Sequence, residues 1–218
     1  MELDLQVGAV RGDGTWRAVV PDVELDVGLV PNVELDVDGT YAVEGPDSGQ
    51  FSFDHPAPEN VWVAAKLGLY DSREGPDDPD AWAIGAQIGP KLPVANGARG
   101  IGYEGLLLTG YTWRESHVVL NVGGLVDPGP ELSKERPIAI EGGLDADVQI
   151  ARSPVSVTAE LAAAHFFSQD ADQLNATLGL TFAANEEIDV SLVALRGFLR
   201  NGDRGGVLLG FSPKIAVW

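Results

Sequence analysis

The side chains best placed for chemistry are carboxylates set at alternate positions. Glu24 and Asp26 alternate with Val23, Leu25 and Val27, and Glu34 and Asp36 alternate with Val33, Leu35 and Val37. Glu104, Glu141, Asp145, Asp147 and Glu160 fall on the same polar phase of later segments, and Lys66 and Lys91 are the few bases that join them. Side chains of period two point to opposite faces of a strand. Rings of Asp and Glu around a wet interior favour cations. Opposed rows of acid and base would set a transverse field that orients a solute. The competing reading is that these charges only solvate and cross-link a plugged interior.

Other chemistry is thinly represented. His55, His117 and His165 have no metal-ligand spacing in sequence. Ser116-His117 beside Glu115 is the one local cluster with the residue types of a lipid hydrolase, but a triad is defined by geometry. The acid-rich link 71–80, with Asp71, Glu74, Asp77, Asp78 and Asp80, lacks the ordered ligand spacing of a calcium loop. The pairs Gly123-Gly124, Gly142-Gly143 and Gly205-Gly206 lack the strand-to-helix setting of a phosphate loop. There is no cysteine, which removes disulfides, thiolates and Cys-zinc sites. The expectation is a protein that is not an enzyme, with no cofactor and no metal.

The elements that would position the carboxylates are strands. The stretch Val23 to Val37 is a hairpin around Pro31-Asn32, with one aliphatic face and one acidic face. Twelve segments have this character: 2–10, 16–30, 33–44, 60–70, 81–92, 101–112, 117–126, 138–151, 154–167, 173–184, 187–199 and 204–217. Most are close to the length of a membrane-spanning strand, about 9–11 residues. Short turns at Pro31-Asn32, Arg114 to Ser116, Arg152-Ser153 and Asn185-Glu186 alternate with longer links at 45–59, 93–100, 127–137 and 200–203. The link 71–80 is longer than its place in that alternation predicts. This rhythm suits an up-and-down antiparallel meander. In TWRAVVPDVELD the phase set by Val23 puts Arg17 on the apolar side, which a bulge near Pro21-Asp22 would repair.

The 218 residues carry 33 Asp and Glu against 14 Lys and Arg, a net charge of −19. That balance argues against nucleic acid as a partner, because phosphate contacts need Lys and Arg. No signal peptide is visible, so the chain is either cytoplasmic or a mature form with a start Met added.

Two architectures fit the pattern. In a soluble sandwich the aliphatic face is a core and the acids meet water. In a membrane barrel the aliphatic face meets lipid and the acids line the interior. The second is favoured by long, numerous strands and by aromatics gathered near strand ends. Trp16, Trp62, Trp82, Trp113 and Trp218 with Tyr41, Tyr70, Tyr103 and Tyr111 would form interfacial girdles. A spanning sheet must close on itself, since unpaired backbone groups are costly in hydrocarbon.

The opening LDLQVGAVRGDGTWRAVVPDVELDVGLVPNVELDVDGTYAV resembles the start of the bacterial outer-membrane "MetA-pathway of phenol degradation" or transporter family. WAIGAQIGPKLPVANG, with Lys91-Leu92-Pro93, is similar to that family's strand ending in Lys-Leu-Pro; GYTWRESHVVLNVGG and LGLTFAANEEIDVSLVALRG follow the same layout. The resemblance implies an outer-membrane barrel of about twelve strands that moves small hydrophobic or aromatic compounds. It departs at the end of the chain, where Trp218 has the opposite phase to Val207, Leu209, Phe211, Ile215 and Val217.

The expectation is an all-β chain: one domain over residues 1–218, a transmembrane up-and-down antiparallel β-barrel of about twelve strands in the bacterial outer membrane. It would be a porin-like channel, a monomer whose partners are the lipid bilayer and small-molecule solutes. Its acidic lumen would be narrow or partly blocked, since twelve strands lie between barrels filled by side chains and open porins.

Overall fold

The structure is a computed structural model and describes residues 1–12, 15–46, 56–73, 78–129, 137–167, 172–199 and 203–214. The alternation of β-branched and aliphatic residues with polar ones produces twelve strands. They are β1 (Glu2–Arg11), β2 (Thr15–Val30), β3 (Val33–Pro46), β4 (Val61–Asp71), β5 (Asp80–Leu92) and β6 (Gly102–Trp113), then β7 (Ser116–Val126), β8 (Ile138–Gln149), β9 (Val155–Phe166), β10 (Gln173–Asn185), β11 (Ile188–Gly197) and β12 (Gly205–Pro213). Each pairs antiparallel with its neighbour in sequence, and β1 closes the ring on β12 through the ladder from Leu5↔Phe211 to Arg11↔Gly205. An even strand count brings Glu2 beside Lys214.

The expected boundaries agree with these to within two residues, except at the chain's end. There the ladder stops at Pro213, and Trp218, Ile215 and Val217 lie outside the described residues. His55, Glu74 and Asp77 lie outside them too. The tight turns hold Asn32 and Arg114 at positive φ, 65° and 57°. Asn tolerates that left-handed region better than most residues.

The aliphatic face is on the outside. Leu178 is 62% exposed, Ile88 60% and Val122 58%, whereas inward Ala139 and Ala64 are buried. A sandwich would hide the large residues between layers; here one sheet wraps round and turns them outward. Outward aromatics gather at both rims. At the short-turn end Trp82 lies 5.1 Å from Tyr111, which stacks on Trp113 at 6.1 Å. At the long-link end Tyr41 and Tyr103 are exposed. Trp62 departs from the expected girdle: it points inward and is buried, because it shares its face of β4 with Lys66.

A bulge does occur near Pro21. Gln6 and Gly8 pair with Asp22 and Val19, so two residues of β2 oppose one of β1. The extra residue reverses the phase of β2. Arg17 therefore turns inward and Trp16 outward. The inner wall is crowded in places: a Cβ on Gly89 would collide with the carbonyl oxygen of Val63, so glycine permits the close approach of β5 and β4 there.

Candidate functional site

The interior collects the acids into groups rather than even rings. At the short-turn end Asp26 pairs with Asp36 across β2 and β3, and Glu34 pairs with Lys66 across β3 and β4. Two residues along each strand return to the same face, so Glu24 joins them. The Lys66 ammonium lies 2.6 Å from Asp26, 3.3 Å from Asp36, 3.4 Å from Glu24 and 3.7 Å from Glu34. Asp36 is buried, and Gln87 of β5 donates to its Oδ2. Asp36 Oδ1 is buried without a hydrogen-bond partner among the described residues. Carboxylates of Glu24, Asp26 and Asp36 come within 4.8 Å of one another, close enough for a cation, but Lys66 already occupies the middle of the group.

A second group lies toward the long-link end. Lys91 of β5 donates to Glu104 of β6 at 2.7 Å and lies 3.1 Å from Asp127, which follows β7. Glu141 of β8 faces the same group, with Oε1 buried and unpartnered among the described residues. A third group spans β8 and β9, where Asp145 pairs with Glu160 and Ser156 donates to Asp147 at 2.8 Å. Glu160 and His117 are exposed although both point inward, so there is open space beside them.

All of the expected inward residues therefore point into the barrel: Glu24, Asp26, Glu34, Asp36, Lys66, Lys91, Glu104, Glu141, Asp145, Asp147 and Glu160. The bases do not face the acids from an opposite row. Each sits inside a group of acids, so the expected transverse field is replaced by local ion pairs. Nor is the interior polar all round. Leu106 and Leu108 of β6, Val119 of β7, Val193 and Leu195 of β11 and Leu208 of β12 share the inward phase. In ring order β6 stands six strands from β12, and β3 six from β9. Away from the long-link end, where Glu104 of β6 and Asp127 interrupt the pattern, two charged walls thus alternate with two aliphatic ones.

Sequence reasoning missed the residues at the mouths. Arg17 Nη2 donates to both carboxylate oxygens of Asp203 at 2.8 Å, and its Nη1 donates to Glu59 at 2.8 Å. Glu59 and Asp203 sit in links, where period-two patterning gives no signal. The bulge was the available clue for Arg17. These side chains line a cavity of about 760 Å³ at the long-link mouth, together with Lys91 and Asp127. A smaller cavity of about 170 Å³ lies below it, between Asp38, Thr40, Trp62 and Glu104. At the short-turn mouth Glu2, Asp26, Glu34, Glu187 and Lys214 line about 560 Å³. A hydrogen bond to Asp189 at 2.7 Å holds the Lys214 ammonium above the usual lysine range.

The hydrolase cluster is not assembled. Ser116 and His117 are consecutive strand residues and point to opposite faces. Ser116 Oγ accepts a hydrogen bond from the Gln149 amide, and His117 pairs in register with Asp147. Ser116 therefore does not face His117.

No protein-family model and no curated protein matches the chain. Solved structures do match. The porin NanC superposes with a TM-score of 0.68 at 10% identity, covering 98% of this chain and 100% of that one. The KdgM porin gives 0.59 at 9% identity, covering 99% of each chain. The COG4313 outer membrane channel from Pseudomonas putida F1 gives 0.60 at 13% identity, covering 97% of this chain and 93% of that one. At such low identity the likeness is one of fold: this chain adopts the closed barrel of bacterial outer-membrane porins and channels.

Proposed function

We propose that the protein is an outer-membrane channel that passes small solutes passively, as a monomer, and favours cations. The observation that carries this reading is the group of four carboxylates around the single ammonium of Lys66, beside the short-turn mouth. A permeating cation meets an excess of negative charge there, in a confined space where the field is poorly screened. The aliphatic walls formed by β6, β7, β11 and β12 add a second preference. A solute with an apolar or aromatic part and a cationic end can hold one to each kind of wall. Such a solute is of the hydrophobic or aromatic kind that the sequence resemblance implies. A closed sheet leaves no strand edge to pair, so one chain suffices. Reconstitution into planar bilayers tests the reading. Discrete conductance steps with a cation-selective reversal potential support it; no conductance, or an anion preference, rejects it.

A further inference from the structure

The four carboxylates around Lys66 hold it unequally. Asp26 and Asp36, whose side chains are 17% and 3% exposed, lie 2.6 Å and 3.3 Å from the ammonium. Glu24 and Glu34, 46% and 40% exposed, lie 3.4 Å and 3.7 Å away. The inner pair grips the lysine, and the outer pair stays open to solutes. Asp26 and Glu34 line the cavity of about 560 Å³ at the short-turn mouth. Glu34 and Lys66 line another of about 710 Å³, which shares Gly28 and Glu34 with the first. An ion entering by that mouth meets this group.

Without the lysine the same carboxylates have the makings of a divalent-cation site. Oxygens of Glu24, Asp26 and Asp36 lie within 4.8 Å of one another, a separation open to ligands about 2.3–2.6 Å from one Ca²⁺. Three carboxylates can offer about six oxygens, enough for that ion's coordination. Asp36 Oδ1 is buried with no hydrogen-bond partner among the described residues, because Gln87 and Lys66 both approach Oδ2. The lysine thus leaves one inner oxygen unserved that a metal ion would take.

Calcium affinity rises with the number of charged ligands and with rigidity. Conduction requires that an ion leave as well as enter. A dication held by four carboxylates would stay and plug the mouth. The Lys66 ammonium is tethered, so its effective concentration at the group is high and does not fall when the bath is exchanged. A dication has to displace it from the inner pair, whereas a monovalent ion need only pass the outer pair.

We infer that Lys66 sets the valence preference of the lumen: it denies the carboxylate group to divalent cations and leaves monovalent ones, inorganic or organic, to pass. This rests on the channel reading above.

The test records potassium currents through the full chain in planar bilayers while Ca²⁺ is added to both sides. Wild-type current should persist at about 1 mM Ca²⁺, and in Lys66→Met the concentration that halves it should fall about a hundredfold. Lys66→Arg, which restores the positive charge, should restore resistance. Equal calcium sensitivity of wild type and Lys66→Met overturns the inference. Titration calorimetry of the same proteins in detergent micelles separates this from the channel reading. It should show one Ca²⁺ site in Lys66→Met and none in wild type, whether or not the barrel conducts; the same result for both proteins overturns the inference. Should Lys66→Met fail to fold, adding Ca²⁺ during refolding should rescue it, because the dication supplies the missing positive charge. If it folds under neither condition the wild type decides: calcium binding below about 1 mM rejects the inference, and no binding there upholds it.

Discussion

Asp26 and Asp36 face each other across the β2–β3 ladder, and the Lys66 ammonium bridges them at 2.6 Å and 3.3 Å. Like charges directly opposite each other destabilise a sheet. Here the third strand supplies the compensation, so the charged wall depends on a residue outside the hairpin.

Replacing Lys66 by Met should therefore destabilise the barrel by about 2 kcal/mol. That is less than for a fully buried pair because the Lys66 side chain is 28% exposed. Urea unfolding in lipid vesicles measures it. Adding Asp36→Asn to Lys66→Met should recover part of the loss, because a buried carboxylate no longer needs neutralising. An additive double mutant would show that the two residues are not coupled.

The same carboxylates should set ion preference. Asp26→Asn together with Glu34→Gln removes two charges at the short-turn mouth, and should move the reversal potential in a potassium chloride gradient toward zero. Arg17→Gln should act the other way, since it frees Asp203 and Glu59 at the far mouth and raises cation preference. It should also cost about 1 kcal/mol of stability, given that both partners are partly exposed.

Gly89→Val should impair folding, by about 2–3 kcal/mol or outright failure, because the obstacle is the Val63 backbone and not a movable side chain. Gly28→Ala is the matched control, since nothing lies within 4 Å of its added methyl. Its refolding yield should match wild type.

Trp82 and Trp62 should respond oppositely to lipids with brominated chains. Trp82 is 54% exposed on the outer face, whereas Trp62 is 8% exposed on the inner face. Trp82→Phe should abolish a measurable part of the quenching, and Trp62→Phe should not.

Much of this was legible in the sequence. A phase of two fixes which residues share a face, so the acid positions and the twelve strands follow from alternation alone. What alternation cannot supply is which strands stand opposite. The pairing of bases within acid groups, rather than across from them, depends on ring order. Trp62 was misplaced because its position near a strand start resembles that of Trp16 and Trp82, while its phase matches Lys66. Asp127, Glu59 and Asp203 come from links, where no period constrains direction. Arg17 was recoverable only by granting the bulge at Pro21.

The Leu/Val/Ile face of the barrel meets hydrocarbon while the acid face meets water. The chain contains no cysteine, so single cysteines can be placed along β8 at residues 140, 141, 144, 145 and 148 and spin-labelled in bilayers. Collision with oxygen, which partitions into lipid, should peak at 140, 144 and 148, and collision with a water-soluble nickel chelate should peak at 141 and 145. Loss of that alternation, or protection of 140, 144 and 148 from both reagents, would contradict it.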